Sequence, residues 1–263
     1  MILYKYLTHD GAMKVLENNS IAFSIASDFN DPFETQAGYP FNSDDILEQQ
    51  IGGFQRDVKR WVWTENSGVL SLTRNPSNSL MWAHYSDSHT GVVIGFDIEI
   101  AGFCNESNCF IPAQYGSVIY TNTKPTTLLK KDRGEGICVG QTHYFPPTHF
   151  DKMSLMFLQK PMCWSYEEEV RVVKCIADRD EEGKNESGKF NLIKINDRRL
   201  YCYELPKGSV KEVYLGLRHK SLKSKKEFNK FADKIKKLHN GIKIKYMQLS
   251  KDTWDLQIKE LNR

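Results

Sequence analysis

The 263-residue chain predicts an α+β fold, with a mixed, mainly antiparallel sheet core and several short helices. Three observations lead there. Short runs rich in Val, Ile and aromatic residues recur along the whole length, helical periodicities between them are few, and no regular β-α-β rhythm connects them. With 40% hydrophobic residues the chain can bury a substantial core, so residues 1–263 are expected to form a single domain.

Ile2-Leu3-Tyr4-Lys5-Tyr6-Leu7 has the composition of a strand, and Thr8 or Asp10 then caps a short helix through Ala12, Met13, Val15 and Leu16. Asn18-Asn19-Ser20 ends that helix, and Ile21-Ala22-Phe23-Ser24 resumes as a strand. The tract Asp28-Phe29-Asn30-Asp31-Pro32-Phe33-Glu34 breaks regular structure, because Pro32 lacks a donor and disfavours helix at Asp31. It reads either as a turn stapled by its own Asx hydrogen bonds or as a ligand-facing loop, with Asn30 and Asp31 as binding candidates. Leu47, Ile51, Phe54, Val58 and Trp61 predict a helix within 43–63, weakened by Gly52-Gly53.

Gly68 to Thr73 reads as the next strand. Leu80 to Gly91 reads as one or two helical turns before the strand Val92 to Asp97, which gathers Trp82, His84, Tyr85 and His89 at one helix-to-strand junction. Ser117 to Tyr120 is a further strand, whereas 121–149, with three prolines and three glycines, reads as a long loop or lid-like insertion. A buried helix over 150–158 then delivers the chain to its most informative stretch.

That stretch is Met162-Cys163-Trp164-Ser165-Tyr166-Glu167-Glu168-Glu169-Val170-Arg171-Val172-Val173. Read as a strand, its two-residue period puts Glu167, Glu169 and Arg171 on one face, with Trp164 and Tyr166 as an aromatic wall at its entrance. Two carboxylates beside a guanidinium can bind and polarise a small polar ligand. The alternative is an exposed strand whose Glu–Arg pairs confer solubility.

Asp178 to Lys189 reads as a polar hairpin tip, followed by strands over 190–195, 200–205 and 210–217. Ser224-x-x-Glu227 is a capping box for a helix with Phe228, Phe231, Ile235 and Leu238 on one face, stopped by Asn240-Gly241. Alternating residues over 242–246 and 254–258 predict two closing strands. Residues 207–251, the basic C-terminal part of the same domain, hold 14 Lys or Arg against 3 acids, a pattern that fits either a solvated face or contact with nucleic acid.

The N-terminus lacks the pattern of a signal peptide and no apolar run reaches membrane-spanning length, so a cytoplasmic protein without membrane contact is expected. Six scattered cysteines, with no C-x-x-C pair and no His at zinc-ligand spacing, predict free thiols and no metal site. No P-loop, G-x-G-x-x-G, G-x-S-x-G or H-E-x-x-H motif is present.

The ordered series LYKY, FNDPFE, MWAHYSDSHTGVVIGFD and WSYEEEVRVV, followed by VKEVYLGL, resembles a bacterial domain-of-unknown-function family, number 2971, through almost the whole chain. That family commonly has Arg after the tyrosine of the first motif, where this chain has Leu7, so no role passes over at that position. More remotely, the opening strand, Thr, short helix and second strand resemble the start of ADP-ribosyltransferase-like domains.

The second resemblance implies that NAD is the cofactor, split at its nicotinamide ribose. It implies that Glu169 stabilises the positive ribose, Glu167 orients or deprotonates the acceptor, Lys5 or Tyr6 holds NAD and Tyr85 stacks on nicotinamide. Arg171 completes the catalytic set, and Asn30, Asp31, Trp82 and His89 complete the cofactor pocket. The implied activity is ADP-ribosyl transfer to a nucleic acid or protein by a toxin or phage-defence effector, with Glu169→Gln inactive and its melting temperature nearly unchanged. Two other classes stay open: a nucleic-acid-binding or nuclease-like effector using the Lys-rich end with His84 and His89, and a non-enzymatic interaction module.

Overall fold

Strand β1 (Ile2–Leu7) leads directly into helix α1 (His9–Asn18). The Thr8 hydroxyl accepts from Gly11 N–H to cap α1, and Asn19, left-handed at φ 48°, donates its N–H to Val15 O to end it. Ala12, Val15 and Leu16 give α1 its buried face. β2 (Ser20–Ile25) alternates half-buried and buried residues, as a strand with one face on a core does.

In a computed structural model of the chain the described residues are 1–35, 61, 64–124, 153–177, 180, 183–185, 187–195 and 197–260. Nearly all of the helix expected within 43–63, and all of the lid-like insertion beyond residue 124, lie outside them. After the acidic loop come β3 (Ser67–Thr73), helix α2 (Ser79–Tyr85), capped by the Asn78 side chain, and β4 (Val92–Asp97). β5 (Ile119–Thr121) and β6 (Gln159–Pro161) form a separate parallel pair, and β7 (Glu169–Cys175) follows.

The stretch Met162–Glu167 is a 3-10 turn and not the front of a strand, which corrects the expectation above. Pro161 cannot donate to a ladder and ends β6. The chain then coils tightly until Glu168, left-handed at φ 46°, donates its N–H to Ser165 O at 3.2 Å and reverses direction into β7.

β8 (Lys184–Asn185), β9 (Gly188–Ile195), β10 (Arg198–Glu204) and β11 (Val210–Leu215) continue the chain. Helix α3 (Lys225–Leu238) then crosses to β12 (Lys243–Leu249), and β13 (Leu256–Glu260) is the last described strand. The Ser224 hydroxyl accepts from Glu227 N–H, half of the expected capping box, and Phe228, Phe231, Ala232 and Ile235 are buried. Leu238, placed by periodicity on that face, is instead 45% exposed.

The described strands form an 11-stranded sheet in the order β13-β12-β11-β4-β1-β3-β2-β10-β9-β8, with β7 also paired to β3. The fold is α+β, mixed and mostly antiparallel. The parallel β11–β12 pair is the one α3 bridges, as parallel neighbours require a crossover. Leu3, Phe96, Phe228, Phe231 and Ile235 belong to the main core, under α1 and α3. Tyr6, Trp82, Val93 and Tyr214 form a second cluster under α2. Since Val93 alternates with Val92 and Ile94, the two clusters occupy opposite faces of the sheet.

One irregularity in the sheet prepares the site. β3 pairs with β7 along its whole length, from Ser67↔Cys175 to Thr73↔Glu169. Its other edge meets β1 only at Tyr4↔Thr73 and β2 only at Ser24↔Val69 and Ile25↔Gly68. Between those contacts the edge has no strand partner among the described residues, and a side chain and a pocket take its place.

Candidate functional site

The pocket of about 230 Å³ opens over this gap, on a floor of Tyr4, Lys5, Ser71, Leu72 and Thr73. Lys5 Nζ donates to Ser71 O at 2.8 Å, supplying a hydrogen bond that a neighbouring strand would otherwise give. Burial pulls the Lys5 ammonium down from its ordinary value, while the charges of Glu169 and Glu167 oppose the change.

Glu167, at the end of the 3-10 turn, and Glu169, at the start of β7, are both buried, at 3% and 4% exposure. The left-handed residue between them brings their carboxylates together around Lys160 of β6, whose Nζ lies 2.5 Å from Glu167 Oε2 and 3.1 Å from Glu169 Oε2. Tyr85, the last residue of α2, donates its hydroxyl to Glu167 Oε1 at 2.5 Å. Trp82, one helical turn earlier, anchors that face of α2 by donating Nε1–H to Pro76 O and packing edge-on against Tyr6 at 5.3 Å. Burial raises the Tyr85 hydroxyl well above its ordinary value, and the hydrogen bond to Glu167 adds to the shift.

Arg171 is fully buried and spends all five of its N–H donors. Nε and Nη2 bind the two oxygens of Glu169 at 2.9 and 3.1 Å, Nη1 and Nη2 bind the two oxygens of Glu34 at 2.8 and 2.6 Å, and Nη1 also binds Phe157 O at 2.6 Å. Gly116 seats this part of β7: a Cβ there would lie 1.8 Å from Arg171 O, closer than atoms can approach. Burial pushes the Glu169 carboxyl up, but the charges of Arg171 and Lys160 outweigh it and hold the group at about 2. Glu169 is therefore a carboxylate at any physiological pH.

The acidic loop adjoins the wall that Glu167 and Glu169 form, since Glu34 shares Arg171 with Glu169 and lies 3.8 Å from Lys160 Nζ. Asp31 Oδ1 accepts from Phe33 N–H at 3.0 Å, the expected Asx turn, and Phe29 lies 5.5 Å from the Arg171 guanidinium. Asp28, Asn30, Asp31 and Glu34 all line the pocket, so the loop is both self-stapled and pocket-facing. Trp164 completes the rim with its ring 5.2 Å from Lys160 Nζ.

Of the residues singled out by sequence, the pocket brings together Lys5, Tyr6, Asn30, Asp31, Tyr85, Glu167 and Glu169. The exposed-strand reading of the glutamates fails, because both they and Arg171 are buried. Arg171 lies behind the wall with no donor left for a ligand, which makes it a positioning residue. Tyr6 has its hydroxyl committed, donating to Asn75 O at 2.9 Å and accepting from Asn78 N–H at 3.2 Å.

Trp82 and His89 do not line the pocket. Trp82 is a core residue at 0% exposure, and Met81 beside it reaches the cavity instead. His89, left-handed at φ 71°, binds Trp82 O through its N–H and Arg218 N–H through its carbonyl. His84 sits elsewhere, its ring 6.3 Å from Tyr85 and 6.4 Å from Tyr166, so the two histidines face different neighbours. Glu169→Gln is also not the silent change expected for stability, since it would leave buried Arg171 and Lys160 short of a counter-charge.

Sequence reasoning missed Lys160 and the tie between Glu34 and Arg171. A single Lys before Pro161 has no periodicity to mark it, and Glu34 is 137 positions from Arg171. The repeated acid of the 28–34 tract was the one available signal. Among the described residues no group of three His, Cys, Asp or Glu could hold a metal ion, and no helix is long and apolar enough to cross a membrane.

No curated protein and no solved structure matches the chain. Residues 81–172, which run from α2 through β4 to the Glu167, Glu169 and Arg171 cluster, match the family model described as Protein of unknown function (DUF2971).

Proposed function

We propose that this pocket binds NAD as a substrate and cleaves the bond between nicotinamide and ribose, passing ADP-ribose to an acceptor. The observation that carries the reading is a buried Glu169 held by Arg171 and joined to Glu167 through Lys160 on the wall of a pocket. The residues present fit such a substrate. Five carboxylates (Asp28, Asp31, Glu34, Glu167, Glu169) stand against four cations (Lys5, Lys160, Arg171, Arg198) in and behind the lining, a balance that favours a cationic ring. Tyr85 and Trp164 offer aromatic surface to the same space.

In the reaction the C1′–N bond breaks with its electron pair leaving on nicotinamide, and positive charge develops on the ribose. Glu169 stabilises that charge electrostatically in a site sheltered from water. Glu167, oriented by Tyr85 and Lys160, takes the proton of the acceptor N–H or O–H as its heteroatom bonds to C1′. Arg171 keeps Glu169 and Glu34 in place.

Incubating the protein and a cell extract with NAD labelled on its adenylate half tests this. Release of nicotinamide together with labelled macromolecule is expected. NAD recovered intact would remove the reading.

A second reading, direct nucleic-acid contact, is favoured by one feature. Between Arg218 and Lys243 ten exposed Lys and Arg stand against two exposed acids, Glu227 and Asp233, on the side of the sheet that α3 covers. Phosphate neutralisation by such a surface predicts oligonucleotide affinity that falls steeply as salt rises. Affinity independent of salt would argue against it.

A further inference from the structure

We propose that Asp28 and Asp31, which line the same pocket as Tyr85, form a subsite for a ribose diol, the adenosine ribose of the substrate. The identity of that sugar rests on the NAD reading above. Asp31 is 7% exposed, and its Oδ2 is buried without a hydrogen-bond partner among the described residues; Asp28 Oδ2 is in the same condition. Both residues line the cavity. A buried carboxylate oxygen without a donor is costly, and a folded chain retains one where something else supplies the donor.

The loop cannot relieve this by turning outward. Glu34 is clamped through both oxygens by Arg171, Phe29 packs on the same guanidinium, and Asp31 Oδ1 is held by Phe33 N–H. Lys5 is engaged on Ser71 O, Lys160 on Glu167 and Glu169, and Arg199, which feels the charge of Asp28, on Glu65. The two oxygens are therefore open to donors that a ligand brings. A vicinal diol carries two adjacent O–H donors, one for each carboxylate oxygen, with no charge to desolvate. Arg198, exposed on the rim of the same pocket, supplies a cation for the phosphate attached to that sugar.

Adenosine 5′-monophosphate carries only this half of the substrate and undergoes no reaction, so calorimetric titration with it isolates the subsite. It is expected to bind at least about tenfold more tightly than its 2′,3′-dideoxy counterpart, the loss set by two charge-assisted hydrogen bonds. Asp31→Asn keeps the Oδ1 acceptor of the turn and replaces the orphan oxygen with an NH₂ donor. It should erase the preference for the diol while raising the melting temperature of the ligand-free protein, and Asp28→Asn should act in the same direction. Equal affinity for the two nucleotides overturns the subsite, as does unchanged discrimination in either variant. Diol-dependent binding without NAD cleavage would remove the transfer reading alone, and NAD cleavage with an unchanged KM in Asp31→Asn would remove the subsite alone.

Discussion

Two glutamates in this sheet have closely similar partners and different surroundings. Glu212 on β11, 7% exposed, accepts from Tyr214 at 2.7 Å and Tyr4 at 3.2 Å and pairs with Lys245 at 3.0 Å. Glu169 on β7 is held by Arg171 and Lys160, with Tyr85 on its neighbour Glu167. The first cluster sets Glu212 and the exposed Glu260 against one lysine and two hydroxyls, and Glu212 does not line the pocket. The second gathers three acids around two buried cations at a cavity wall. The same side chains that fasten strands together in one place are, in the other, collected beyond what fastening needs and turned toward a space.

Substituting each glutamate by glutamine is the sharpest way to break this comparison. Glu169→Gln should reduce nicotinamide release by at least about a thousandfold and lower unfolding stability by about 3 kcal/mol, because two buried cations lose a counter-charge. Glu212→Gln should cost about 1 kcal/mol and leave release at the wild-type rate. Nicotinamide assays beside urea melts measure both. Equal losses of activity in the two variants would show that the sites do not differ in function.

Acid titration separates them next. The folded value of Glu169, about 2, lies below the ordinary 4.5. Its contribution is therefore complete above about pH 4.5 and is lost as pH falls toward 2, by about 3 kcal/mol over that window. Glu169→Gln should flatten this leg of the stability profile. His219, buried against His9 at 2.8 Å and lowered by burial to about 4, acts earlier. The unfolded chain takes up that proton first, so the neutral histidine stabilises the fold above about pH 6.5 and the effect fades as pH drops to 4. Chemical melts at pH 7, 5 and 3 resolve the two steps.

The smallest expected effects come from the hydroxyls. Tyr85→Phe removes one donor from Glu167 and should slow turnover about tenfold with little change in melting. Tyr214→Phe should do the reverse, costing about 1 kcal/mol with turnover intact.

What the sequence made legible was local. The α1 cap at Thr8, the Ser224 N-cap and the alternation of β2 depend on residues within a few positions, and they stand where the sequence puts them. Glu169 and Arg171 face one another because a strand repeats every two residues. Glu167 joins them for a reason that periodicity did not contain, a left-handed backbone at Glu168 that folds the preceding turn back. Lys160, the Glu34 tie and the burial of Trp82 depend on distant neighbours, and no local pattern encodes those. The helix propensity of the α2 segment was readable, but whether Met81 or Trp82 meets the cavity depends on how that helix rolls onto β1.

The clamp between Glu34 and Arg171 spans 137 positions, and it sets when the wall of the pocket can assemble. A nascent chain halted between residues 85 and 160 owns the acidic loop, Lys5 and Tyr85, yet lacks both cations that gather the wall, Lys160 and Arg171, and both glutamates that they hold. The wall of the pocket is therefore assembled only after β7 has been synthesised, and Arg198 of β10 joins the lining later still.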